Sequence, residues 1–353
     1  MRIRILFAIL VGIVLLLISP LVNKRQDLTF AEYATVQAQD KVVQQSAEAD
    51  YLTVLRRAAQ EPVDALAGLD GVIFSDSPFA EDARDLALAI RLAALQGDEA
   101  YSLTAVGQAF ARLEQWDLSL VALQNAVEVD PEYAEAWAYL GEALQQTGED
   151  GTEAIERAQE LDPLSLSANL LAALYWQREG DFDEAGRYLN IARLVDPENT
   201  SIYLQLGHNA VLGGDVPGAR IFYEQALALN PDNLDALKAL ATYSLDNQIY
   251  IDDIGLPTAR RALVLAPRDP DVLVLMGRAI FLSSGQDEQA KTLFQNALEL
   301  DPIHPGAHLH LGLYLIADEE FILAREHLEI IIQNGIGTAE ATLAAQVLED
   351  FYP

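Results

Sequence analysis

Six prolines set the period of this chain. Pro131, Pro163, Pro197, Pro231, Pro267 and Pro302 recur at intervals of 32, 34, 34, 36 and 35 residues. Five residues before each stands an alanine: Ala126, Ala158, Ala192, Ala226, Ala262 and Ala297. Ten residues after each stands another small residue: Gly141, Ala173, Gly207, Ala241, Gly277 and Gly312, with Gly107 completing the set at the front. Three markers held in one register over six cycles describe an array of stacked units. The usual expectation of two or three separate domains for 353 residues therefore does not apply.

Each period holds two amphipathic stretches with apolar residues at helical spacing. One example is Ile202, Leu204 and Leu206 followed by Ala219, Phe222, Tyr223 and Ala226. Short polar turns such as Gly180-Asp181 and Gly214-Asp215 join the stretches, which predicts a helical hairpin in each unit. The small residue of the first helix and the alanine of the second are expected to let the two backbones approach closely. Proline ends the second helix because it disfavours helical geometry in the residue before it. That preceding residue is usually Asp130, Asp162, Asp196, Asn230 or Asp301, types suited to turns and caps.

This pattern resembles the tetratricopeptide repeat family over residues 100–336, about two thirds of the chain. Seven units fit: 100–133, 134–165, 166–199, 200–233, 234–269, 270–304 and 305–338. The second (Trp137, Leu140, Gly141) and the fourth (Tyr203, Leu206, Gly207, Ala219, Tyr223, Ala226, Pro231) match best. The second is two residues short around Gly148–Gly151, and the fifth has two extra residues around Tyr250–Leu256, read as a tolerated surface insertion or a contact loop. The last has Ile331 in place of the alanine and lacks the closing proline. The resemblance implies an all-α, right-handed α-solenoid at 100–338, with a capping helix at 339–353 that begins near Thr338. Residues 26–99 read as a polar stalk followed by a helical region compatible with a divergent repeat. Helices are expected at 31–60, Val63–Leu69 and Pro78–Leu95, with a turn at Gly71–Pro78.

The N-terminus is a different material. Residues 1–30 carry a charge of +3, from Arg2, Arg4, Lys24 and Arg25 against Asp27, while the whole chain is at −32. Between the basic pairs, Ile5–Val22 is apolar except for Gly12, Ser19 and Pro20. Eighteen helical residues at about 1.5 Å each reach about 27 Å, enough to cross a hydrocarbon core. Residues 1–25 are accordingly expected to form a membrane anchor, with a cleaved signal peptide as the rival reading. The α-amino group tips the orientation toward an N-terminus inside, which puts the acidic domain outside the cytoplasm.

The acidic balance excludes phosphate-backbone binding and so a nucleic-acid partner. With no cysteine there is no disulfide framework, thiolate metal site or cysteine nucleophile. Gly335-Ile336-Gly337 lacks the third glycine and the preceding strand of a dinucleotide loop, and Asn199-Thr200-Ser201 fits a glycosylation acceptor by pattern alone. His304, His308 and His310 form a histidine cluster, but Pro305 interrupts it, so surface residues are expected. Asp252-Asp253 and Asp318-Glu319-Glu320 lack the alternating ligands of a calcium loop. No enzyme activity, cofactor, metal or small-molecule substrate is expected.

In the family that this pattern resembles, first helices line a concave groove for peptides or partner helices. Carried onto this chain, the groove positions are Tyr101, Thr104 and Gln108; Glu135, Glu142 and Gln145; Leu170, Leu174 and Gln177; Leu204, His208 and Val211; Lys238 and Thr242; Val274, Arg278 and Phe281; Leu309, Leu313 and Ile316. Few are Lys, Arg or Asn, so capture of an acidic tail is not expected. The apolar ones suit an amphipathic helix or an extended hydrophobic segment, unless they pack as core. The expected role is a membrane-tethered scaffold for cell-envelope complex assembly; a holdase-like chaperone for exported proteins is the alternative.

Overall fold

The computed structural model describes residues 48–75, 77–285, 287–334 and 338–351. The expected membrane segment at 1–25 and the Gly335–Gly337 link lie outside these. Among the described residues there is no strand, and no helix is long and apolar enough to cross a membrane. The helices are α1 (48–58), α2 (Pro62–Ile73), α3 (Ala80–Ala94), α4 (Glu99–Arg112), α5 (Trp116–Val129), α6 (Ala134–Gln146) and α7 (Thr152–Leu161). They continue as α8 (Leu166–Arg178), α9 (Phe182–Val195), α10 (Thr200–Leu212), α11 (Val216–Leu229) and α12 (Leu234–Asp246). A π-helical turn, Ile251–Gly255, then runs into α13 (Leu256–Leu265), followed by α14 (Pro270–Ser284), α15 (Glu288–Leu300), α16 (Pro305–Ala317), α17 (Phe321–Asn334) and α18 (Ala339–Phe351). The chain divides into two compact units, Met1–Ala154 and Ile155–Pro353, the boundary falling within α7.

The marker residues have clear jobs. Each marker alanine is buried, and its carbonyl accepts the last helical hydrogen bond of its unit, as from Asp196 N to Ala192 O at 2.9 Å and from Asn230 N to Ala226 O at 3.1 Å. The donor residue is already extended, with φ −133° and ψ 83° at Asp196 and φ −137° and ψ 94° at Asn230, the geometry that a following proline imposes. The proline carbonyl is then bound by a side chain six residues on. Trp137 Nε1 donates to Pro131 O at 2.9 Å, Asn169 Nδ2 to Pro163 O at 3.0 Å, and the Tyr203 hydroxyl to Pro197 O at 2.9 Å. His308 Nε2 lies 3.0 Å from Pro302 O. Pro231 is followed six residues later by Leu237, which cannot donate, and Arg261 binds its carbonyl instead.

The small residue of the first helix acts differently from the sequence expectation. It makes room for a large side chain of the second helix, not for a close backbone. A Cβ on Gly107 would stand 2.6 Å from Leu123, one on Gly207 2.4 Å from Tyr223, and one on Gly277 2.5 Å from Phe294. In the shortened second repeat the backbones do meet, where a Cβ on Gly151 would lie 2.4 Å from Gly141 O. Shortening this repeat by two residues pulls the hairpin tight enough that position 151 must be glycine.

Upstream, α2 runs through Gly68 and Gly71 to Ile73, so the expected short helix and the turn beginning at Gly71 are corrected. Gly68 is kept helical by packing: a Cβ there would meet Val54 of α1 at 3.0 Å. α2 and α3 pair as a hairpin without the proline marker, and their core residues Leu69, Leu86 and Ile90 are fully buried together with Leu55 of α1 and Phe110 of α4. The insertion in the fifth unit is neither a loose loop nor a plain surface insertion. Tyr250 adopts φ 53°, its carbonyl accepts from Ile254 N and Gly255 N, and Ile249 and Ile254 pack on the cluster around Tyr223 and Tyr243.

Candidate functional site

Three successive first helices of the second unit, α12, α14 and α16, share a face, and α18 stands beside the last. Between them lies an open cleft of about 670 Å³. Lys238, Thr242 and Asp246 line it from α12; Asp271, Val274, Leu275 and Arg278 from α14; His304, Leu309 and His310 from the start of α16; and Ala339, Glu340 and Leu343 from α18.

Its cations are already committed. Lys238 Nζ donates to Asp271 Oδ2 at 2.7 Å and lies 3.7 Å from Asp269. Asp271 Oδ1 faces His304 Nε2 at 3.1 Å. His304 caps α16 by accepting from Ala307 N on Nδ1, so Nε2 carries the proton that Asp271 accepts. Arg278 pairs with Asp246. Lys238, with His304 adding to it, holds the Asp271 carboxyl below its ordinary value despite partial burial. Pairs this exposed contribute little to stability. Their consequence is positional: each cation is neutralised by a carboxylate of an adjacent repeat or inter-repeat turn.

Of the groove positions expected from sequence, Lys238, Thr242, Val274, Arg278 and Leu309 come together in this cleft, with Val274 and Leu309 largely buried. Leu170 packs on the core around Tyr188 and Leu206, Leu204 and Val211 on that around Tyr223, Phe281 on that around Phe294, and Leu313 on that around Leu328. Leu174 is half-buried and His208 exposed on their own helices. Gln177 donates to Asn209, whose amide in turn donates to Phe182 O at 2.9 Å, a buried polar tie between neighbouring repeats.

The histidines correct the sequence expectation of surface residues. His308 is 4% exposed, because it satisfies the Pro302 carbonyl; its Nδ1 lies 2.8 Å from Nδ1 of His327 on α17. With Nε2 donating to the carbonyl, a neutral His308 accepts on Nδ1 and His327 donates. A histidine six residues after the proline was the readable signal for this, had the periodic carbonyl contact been known.

His310 is partly buried, its ring 6.0 Å from that of Phe294. Burial, with the Arg278 charge adding to it, pushes His310 down from 6.5 to about 3. The unfolded chain therefore takes up this proton more readily, so the contribution to stability is complete above pH 6.5 and is lost as pH falls toward 3. Urea midpoints measured at pH 7.5, 6 and 5 should fall with acid, and His310→Gln should flatten the trend. An unchanged slope would remove His310 as its cause.

Two family models match the chain, one described as a TPR repeat over residues 107–148 and one as a tetratricopeptide repeat over residues 170–233. The CTR9 homolog of Arabidopsis thaliana is 24% identical over 330 residues, covering 79% of this chain and 30% of that protein. The peroxisomal targeting signal receptor of Komagataella phaffii is 27% identical over 184 residues, covering 52% of this chain and 27% of the receptor. The chain thus spans less than a third of the length of these curated relatives. Among solved structures, a tetratricopeptide repeat protein from Parabacteroides merdae aligns with a TM-score of 0.57 at 13% identity, covering 71% of this chain and 98% of its own. The type IV pilus biogenesis factor PilW aligns at 0.52 and 18%, covering 60% of this chain and 98% of its own. These structural likenesses speak to fold alone. Residues 107–148 and 170–233 thus match tetratricopeptide repeats, and the proline, alanine and glycine markers continue the same pattern from Gly107 through Gly312.

Proposed function

We propose that the chain is a non-catalytic scaffold that holds a segment of a partner protein in the cleft between α12, α14, α16 and α18. The single observation that carries this is the cleft itself: an open space of about 670 Å³ formed by consecutive first helices, with apolar residues between ion-paired rims. One relative supports the general role, being named a peroxisomal targeting signal receptor. The apolar N-terminal sequence, flanked by basic pairs, supports tethering to a membrane with the repeats outside the cytoplasm, and so a part in assembling envelope complexes.

The absence of cysteine makes a direct test simple. Thr242→Cys, carrying a thiol-linked photocrosslinker, should give one or two discrete adducts in cells, while Glu326→Cys on the outer face of α17 should give none. Equal adducts from both positions would remove the cleft as the binding site. A broad ladder from Thr242→Cys alone would favour the chaperone reading.

A further inference from the structure

The chemistry of the cleft restricts what can fill it, provided that the cleft is the binding site proposed above. Its two cations, Lys238 and Arg278, are only 29% and 18% exposed and each is bound by a carboxylate. Asp271 and Asp246 are 60% and 53% exposed, so their remaining lone pairs face outward. Glu340 adds a third carboxylate on the same cleft. An incoming anion would have to displace internal partners and meet these carboxylates, whereas an incoming cation meets them directly. Between the charges, the 43%-exposed Leu343 offers an apolar seat, backed by the largely buried Val274 and Leu309. Neither ring nitrogen of His310 has a hydrogen-bond partner among the described residues, though the ring lines the cleft. A neutral imidazole presents one donor and one acceptor, the complement of a peptide amide.

We propose that the cleft takes an extended, basic segment of a partner protein. An apolar side chain of that segment rests against Leu343, a main-chain amide meets His310, and lysine or arginine side chains lie over Asp246, Asp271 and Glu340.

The test uses two synthetic peptides of about a dozen residues with one apolar core, flanked by lysines in one and by glutamates in the other. Binding to the full chain is followed by fluorescence anisotropy at physiological salt. The lysine peptide should bind at least about tenfold more tightly than the glutamate peptide. Glu340→Lys/Leu343→Lys should abolish that preference. Glu349→Lys/Asp350→Lys, exposed at the far end of the same helix, makes a similar charge change away from the cleft and should leave it intact. His310→Phe should weaken the lysine peptide by about five- to tenfold, the loss of one hydrogen bond, and His310→Asn should restore most of it. Equal or tighter binding of the glutamate peptide overturns the proposal. So does an equal loss in the far-end variant, which would reduce the effect to net charge. If neither peptide binds while the Thr242 crosslink survives, the cleft reading stands and this occupant fails; if the crosslink fails too, both fall.

Discussion

Phe294→Ala is expected to destabilise the second unit by about 3–5 kcal/mol, because a fully buried aromatic side chain leaves a cavity that a stacked hairpin cannot close. The informative result lies in its coupling to Gly277. A methyl group on Gly277 would sit 2.5 Å from the Phe294 ring, so Gly277→Ala alone should cost about 1–3 kcal/mol through overpacking. With Phe294 already alanine the clash is gone, and the same substitution should stabilise by about 1 kcal/mol, the helix-interior penalty of glycine. Urea denaturation of the four proteins measures this cycle. A Gly277→Ala effect of the same sign in both backgrounds would mean that the glycine serves something other than the ring.

Ending the chain after Asn334 should produce the second large effect. α18 covers Leu309, Leu328 and Ile331, which are 4%, 0% and 2% exposed, and contributes Ala341, Ala344 and Val347 to the same core. Burial of one large aliphatic side chain stabilises by about 1.5–3 kcal/mol, so uncovering even part of three lowers stability by several kcal/mol. The uncovered face is also a ready surface for a second chain, since terminal repeats need a polar outer side. Thermal unfolding should shift down and sedimentation should show concentration-dependent association. A monomer with an unchanged melting temperature would deny α18 this covering role. The shortened chain also loses Glu340 and Leu343 from the cleft, so peptide binding should weaken with it.

The repeat period was legible because its markers are fixed by local sterics: proline, its extended predecessor and the buried alanine act within one turn of chain. What escaped sequence reading depends on contacts between helices, which local sequence does not show. Glycine at 107, 207 and 277 could be read as small, but not that Leu123, Tyr223 and Phe294 fill the space it leaves. His308 looked like a surface residue because the sequence does not show that a side chain six residues after each proline binds its carbonyl, nor that His327 lies beside it. Leu170, Leu204 and Leu313 stand at groove positions by count, yet they lean into the packing between helices. A rotation of a few tens of degrees about a helix decides between groove and core, and an unaligned repeat pattern does not resolve it. Lys238, Thr242, Val274, Arg278 and Leu309 fell on the cleft because there the register keeps step with the markers at 231, 267 and 302. The part played by α18 in the same cleft had no sequence signal, since this helix lies beyond the last of the repeat markers.

The proline carbonyls are fastened by an indole at Trp137, a carboxamide at Asn169, a phenol at Tyr203, a guanidinium at Arg261 and an imidazole at His308. Five different chemical groups perform one mechanical task, so the turns are equivalent in shape yet individually addressable. With Trp116 and Trp176 replaced, indole fluorescence reports the first of them, while Tyr203→Phe releases the third and His308→Ala the last. Local opening of this array can therefore be followed one joint at a time, without any label being added.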